Sequence, residues 1–217
     1  MIADLHYLDP LLDEMAARWP DNRTISIVCH GHSVPSGYFA TPFVNTFEAY
    51  PHRLHRILKE RFPFAVLNVI VTGIGGEDAA QGAQRFAGDV LNHKPDVITI
   101  DYALNDRRIG LDAARRAWEN MICAAQDAGK KVILLTPTWD SSYYTQSEAW
   151  EQLKAHREQI LELADRYHVG LADSFAQFER NIHTPEDLTQ YLSHVNHPSA
   201  LGHQLVAAEI AKYFPAR

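Results

Sequence analysis

Two short segments at opposite ends of the chain carry residues able to do nucleophilic chemistry. Cys29-His30-Gly31-His32-Ser33 directly follows an apolar run, and Val195-Asn196-His197-Pro198 directly precedes the last amphipathic segment. A serine hydroxyl is a poor nucleophile until a neighbouring base takes its proton, and imidazole is the side chain suited to that task near neutral pH. Ser33 in a tight strand-to-helix turn and His197 at a helix entrance are thus the two halves of an activated-serine site, provided the fold joins them. Pro198 suits the opening of a helix and biases the preceding residue toward extended backbone, which orients the His197 ring.

The rest of the sequence supplies elements able to join them. After an N-terminal helical stretch over residues 8–19, short apolar runs alternate with longer amphipathic segments, the signature of parallel strands linked by crossover helices. Residues 25–29, 65–71, 97–101, 132–135 and 169–172 read as strands, being short, rich in β-branched residues and bounded by loop formers. Between them apolar residues recur at helical spacing, as in Leu54, Ile57 and Leu58 or Leu111, Trp118, Ile122 and Ala125. Right-handed crossovers then give a three-layer α/β/α sandwich on a five-stranded parallel sheet, with the ligand crevice beyond the carboxyl ends of the strands. One domain over 1–217 is expected, with 1–23 as an N-terminal helical extension, since no linker composition interrupts the chain.

What those carboxyl ends deliver is polar or glycine-rich: Gly31-His32-Ser33, then Thr72-Gly73-Ile74-Gly75-Gly76-Glu77-Asp78, then Tyr102-Ala103-Leu104-Asn105-Asp106, then Thr136-Pro137-Thr138-Trp139-Asp140. The ordered set of Gly-x-Ser after strand one, a glycine loop after strand two, Asn-Asp after strand three and His-Pro near the end resembles the SGNH (GDSL-type) hydrolase family. The likeness covers roughly residues 25–213. It implies a flavodoxin-like sandwich whose Ser33 attacks an ester or thioester carbonyl with His197 as base, the oxyanion being held by the backbone N–H of Ser33, the backbone N–H of Gly76 and the amide of Asn105. Physical chemistry agrees: Gly76 lets the backbone approach without a Cβ, and an uncharged amide donates without losing a proton.

The chain departs from the family pattern at two positions. His32 stands where the family block has aspartate, and His194 stands three residues before the histidine, where the family commonly places the orienting acid. His197 must then be held by a backbone carbonyl, by His194, or by an acid from another loop, Asp187 and Asp140 being the nearest on predicted loops. A Ser-His dyad is the working model.

Other readings compete at the same residues. His30-x-His32 and His194-x-x-His197 have spacings that metal sites use, which admits a His-rich metal-dependent hydrolase, although carboxylate and supporting partners are not evident. The glycine loop lacks a P-loop lysine and the Gly-x-Gly-x-x-Gly spacing, which argues against nucleotide binding. A catalytically weak carbohydrate-binding relative is the rival from another class. Tyr102 and Trp139, on crevice loops, suit stacking against a sugar, or serve as loop anchors. His52, His55, His156 and His168 read as helix-surface or boundary residues, and His203 as packing or capping on the last helix.

Composition narrows the classes. A formal charge of −7 with 46% hydrophobic and 22% charged residues gives no basic face for nucleic acid. Two cysteines, Cys29 in a strand and Cys123 in a helix, do not make a disulfide scaffold and read as buried free thiols. No basic segment followed by an apolar run opens the chain and no run is long enough to span a bilayer, so the expectation is a cytoplasmic protein without a membrane partner. The expected function is hydrolysis of a small acyl ester, foremost an O-acetyl ester on a carbohydrate, with no cofactor and an acylated sugar as partner.

Overall fold

The computed structural model describes residues 4–216. Five strands form one parallel sheet: β1 (Thr24–Gly31), β2 (Val66–Val71), β3 (Val97–Asp101), β4 (Lys131–Leu135) and β5 (Gly170–Ala172), in the order β2-β1-β3-β4-β5. Each matches one of the five expected runs. The N-terminal helix is shorter than expected, Asp9–Ala16, and Ala17 is already extended.

Because successive strand side chains point to opposite faces, the apolar runs feed two separate core layers. Ile25, Ile27, Cys29, Val97, Ile133 and Leu135 pack on one face with the helices Tyr50–Arg61, Ser174–Asn181 and Ala200–Ile210. Val28, Ile98, Ile100, Val132 and Leu134 pack on the other with the helices Ala79–Asp89 and Gly110–Asp127 and the C-terminal part of Glu148–Tyr167. Helices on both faces of a parallel sheet make the three-layer α/β/α sandwich expected.

The strand order reverses at β1: the chain goes from β1 to β2 on one side and then to β3 on the other. Loops leaving β1 and β3 therefore diverge, and a crevice opens between them. Register sets its floor, with Gly31 opposite Asp101 and the His32 N–H donating to the Asp101 carbonyl at 3.3 Å.

Two expectations about burial need correction. Cys29 is buried, but Cys123 is exposed, because it falls outside the stripe Ala114, Ala117, Trp118, Met121, Ile122 and Ala125 that its helix turns inward. His156 is buried rather than on a surface, because it lies three residues after Leu153 and four before Ile160 on the inward stripe of its own helix. No helix among the described residues is long and apolar enough to cross a membrane.

Candidate active site

Ser33 opens the four-residue helix Ser33–Ser36 immediately after β1. Its N-cap is His32, whose Nδ1 accepts the Val34 N–H at 3.2 Å, while the Ser36 hydroxyl donates to the His32 carbonyl at 2.9 Å. The imidazole thus takes over the capping that a short acid would do there. The Ser33 N–H, at the first helical position, has no acceptor within its own helix and is free to face a ligand.

His197 comes from 164 residues further along, on the approach to the helix Ala200–Ile210, and its Nε2 lies 3.0 Å from Ser33 Oγ. Its other nitrogen, Nδ1, lies 3.1 Å from the Phe39 carbonyl oxygen. A carbonyl only accepts, so Nδ1 carries the ring proton and Nε2 presents its lone pair to the serine hydroxyl. The backbone is held as well: the Ser193 N–H and hydroxyl donate to the His197 carbonyl at 2.9 and 3.1 Å. Partial burial lowers the pKa of His197 below the ordinary histidine value, with smaller lowering from His32 and His194, and the Phe39 carbonyl works in the opposite direction.

The other candidates for orienting His197 are exposed or engaged elsewhere. His194 is exposed. Asp187 accepts the N–H groups of His183 and Thr184, both at 2.9 Å, as part of the capping box that starts the helix Pro185–Tyr191. Asp140 pairs with Arg107 at 2.6 Å and accepts the Ser142 N–H at 3.0 Å. A peptide carbonyl, with no side-chain signature in the sequence, fills the position.

The glycine loop is held from below by ion pairs. Gly76 adopts φ +81°, a left-handed conformation that suits glycine, and a Cβ there would meet nothing within 4 Å. Next to it Glu77 is gripped by Arg85, at 3.0 Å to one carboxylate oxygen and 2.6 Å to the other, and accepts the Tyr102 hydroxyl at 3.3 Å. The Glu77 carbonyl accepts the Asn105 side-chain amide at 2.8 Å. That bond fixes which end of the Asn105 amide is nitrogen and leaves its second N–H for another acceptor. Arg108 ties down Gly76 through its carbonyl at 2.6 Å. Asp106, fully buried, accepts the Ala79 N–H and the Trp118 indole N–H, each at 2.7 Å, and burial pushes its carboxyl up to about 6.

Two residues expected to touch substrate do not reach the crevice. Tyr102 is fully buried: its ring packs on Gly82, where a Cβ would sit 2.3 Å from it, and its hydroxyl is shared among Glu77, Arg85 and His30. Trp139 is 5% exposed and stacks into a cluster with Tyr143, Trp150 and Phe175, so it anchors its loop. His30 does not share the crevice with His32 either. Its Nδ1 meets the Thr72 hydroxyl at 2.8 Å, its Nε2 meets Gly82 O and Tyr102 Oη, and burial lowers its pKa to about 4. Among the described residues no group of three or more His, Cys, Asp or Glu could hold a metal ion.

The model of the GDSL-like lipase/acylhydrolase family matches residues 29–205. The chain belongs to that family. It is an SGNH-type acylhydrolase, and the match runs from the residue before His30 to the helix after His197. Among solved structures, the chain resembles Axe2, an acetylxylan esterase from Geobacillus stearothermophilus, with a TM-score of 0.76 and 19% identity over 89% of this chain and 95% of that one. It also resembles LAE5, an α/β hydrolase enzyme from the metagenome of Lake Arreo, with a TM-score of 0.75 and 20% identity over 92% of this chain and 97% of that one. Axe2 is also represented by catalytic mutants in which a serine, a histidine or an aspartate is changed to alanine, the aspartate lying three positions before the histidine. Three positions before His197 this chain has His194. Comparison with curated proteins gives no match.

Proposed function

We propose that this protein hydrolyses a small acyl ester, foremost an O-acetyl ester on a carbohydrate, through an acyl-enzyme on Ser33. The observation that carries the reading is the 3.0 Å contact between Ser33 Oγ and a His197 whose opposite nitrogen is already committed to a carbonyl. His197 Nε2 takes the hydroxyl proton as Oγ bonds to the carbonyl carbon, and returns it to the leaving alcohol as the C–O bond breaks. Water then repeats the exchange on the acyl-enzyme, releasing the acid and restoring the serine.

Negative charge on the carbonyl oxygen is met by the N–H groups of Ser33 and Gly76 and by the Asn105 amide, donors already fixed by the helix start, the loop and the Glu77 carbonyl. One such donor is commonly worth about 3 kcal/mol of transition-state stabilisation. The carbohydrate O-acetyl assignment draws on the family and on the fold shared with an acetylxylan esterase.

The test is acetate release from acetylated xylooligosaccharides, run beside labelling with a fluorophosphonate probe. Attachment at Ser33 with acetate release supports the reading. A protein that binds the sugar but neither labels nor releases acetate is a binding relative, and the reading falls.

A further inference from the structure

Ser33 touches two imidazoles. Besides His197, the Nδ1 of His32 lies 3.4 Å from Ser33 Oγ, and the Nε2 of the same ring lies 3.5 Å from Asp101 Oδ1. His32 and Asp101 are 1% and 5% exposed. Since His32 Nδ1 accepts the Val34 N–H, its lone pair is on that side and its ring proton is on Nε2. That buried Nε2 has no hydrogen-bond partner in good geometry, and the Asp101 carboxylate is the acceptor it faces. The other ionisable groups around the ring are His197 beyond the serine, Tyr102 edge-on at 6.4 Å between ring centres, Asp106, and Tyr50 beside Asp101.

We propose that His32 is a second catalytic imidazole on Ser33, with Asp101 as its carboxylate. The acid that is missing behind His197 is thus present behind the other histidine, on the nucleophile's own strand turn. The inference rests on the serine-nucleophile reading above. In the step it performs, the Ser33 O–H bond breaks and an Nδ1–H bond forms as Oγ bonds to the carbonyl carbon. The Nε2 proton stays against Asp101, so the imidazolium is paired with an anion. Nδ1 then gives its proton to the leaving oxygen as the C–O bond breaks, and water repeats the exchange. Taking the proton displaces the Val34 N–H from Nδ1, so His32 acts behind His197 and its contribution is exposed when His197 is removed.

The test compares rates of Ser33 labelling by a fluorophosphonate and of acetyl-ester turnover in His197→Ala, His197→Ala/His32→Asn and His197→Ala/Asp101→Asn. Asparagine is a favoured N-cap whose oxygen can accept the Val34 N–H, so His32→Asn keeps the capping role while removing the titratable ring and its contact with Asp101. The expected result is that His197→Ala retains a residual rate that rises with pH through one ionisation. Adding His32→Asn should lower that rate at least about tenfold and flatten the pH profile, and adding Asp101→Asn should lower it in the same direction. Equal rates and profiles in His197→Ala and His197→Ala/His32→Asn overturn the proposal. If thermal melting shows the His32 double variant unfolded, the Asp101 pair decides: an unchanged rate there overturns it. A wild-type protein that does not label at Ser33 fails the nucleophile reading itself, which separates the two.

Discussion

His197 and Phe39 are joined by a single hydrogen bond, from the imidazole Nδ1 to a peptide carbonyl, and that bond sets the tautomer on which a serine-based mechanism depends. A neutral carbonyl orients the ring as a carboxylate would but stabilises the developing imidazolium less. Ser33→Ala should abolish ester turnover by about 10⁴-fold or more, His197→Ala by somewhat less, and the double variant should match Ser33→Ala. Steady-state kinetics on an activated acetyl ester checks this, and additive losses would mean that the two do not share a proton.

The carbonyl can be moved without touching the site. Gly37 has φ +85°, and a Cβ there would meet Thr46 Cα at 3.0 Å and the Asn45 carbonyl at 3.1 Å. Gly37→Ala should strain the loop that aims Phe39 and lower kcat about tenfold with little change in KM, since orientation of the base acts in the transition state. A variant with native kcat and normal melting would show that the carbonyl's position is not critical.

Arg85 grips Glu77, whose carbonyl holds the Asn105 amide. Arg85→Ala leaves a mostly buried carboxylate unpaired, at about 3 kcal/mol of stability. It should also loosen the loop that carries Gly76, and kcat should fall about 10- to 100-fold. Glu77→Gln, which keeps the main-chain carbonyl and a hydrogen-bonding side chain, should recover part of that loss. Kinetics paired with denaturant melts distinguishes a loosened loop from general unfolding.

Activity should follow the neutral form of His197. Because the pKa of His197 is depressed by burial, kcat/KM should rise with pH, with its inflection below the ordinary histidine value. A pH–rate profile on the free enzyme with its inflection above that value would contradict the assignment of His197 as base.

Stability should fall on the acid side of neutrality. His30 and His156 are lowered by burial to about 4 and His203 to about 3, so between 6.5 and those values the unfolded chain binds protons that the folded chain refuses. Stability is then fully present above pH 6.5 and is lost as pH falls. Asp106, raised to about 6, acts in the opposite sense above its usual value and offsets one of the three. Two uncompensated groups give a slope of about 3 kcal/mol per pH unit at its steepest. Melting temperatures from pH 7.5 to 4.5 should drop sharply below 6, and a flat profile would mean that these rings take up protons in the folded state.

Side-chain chemistry with a period was legible in the sequence, and backbone chemistry was not. All five strands, Ser33, His197, the glycine loop and Asn105 announce themselves by type and placement. The Phe39 carbonyl does not, because any residue supplies one. Tyr102 stands at the crevice in sequence yet turns inward, because Gly82 on the neighbouring helix leaves room for its ring, Glu77 accepts its hydroxyl, Arg85 donates to it and His30 Nε2 lies beside it. His156 and Cys123 were readable from the 3.6-residue period: one falls on its helix's apolar stripe and the other off it. The Arg85–Glu77 pair was not, because eight residues of separation across a loop and a helix carry no periodic signal.

The Ser33 hydroxyl is in the chain 164 residues before the imidazole it meets. A nascent polypeptide that has not yet reached residue 197 has the hydroxyl but lacks the imidazole, and cannot set that ring until β1, β3 and the helix Ala200–Ile210 have docked. The rate of serine labelling in excess of that of His197→Ala therefore works as a gauge of assembly, able to report how much of a refolding sample has docked that helix.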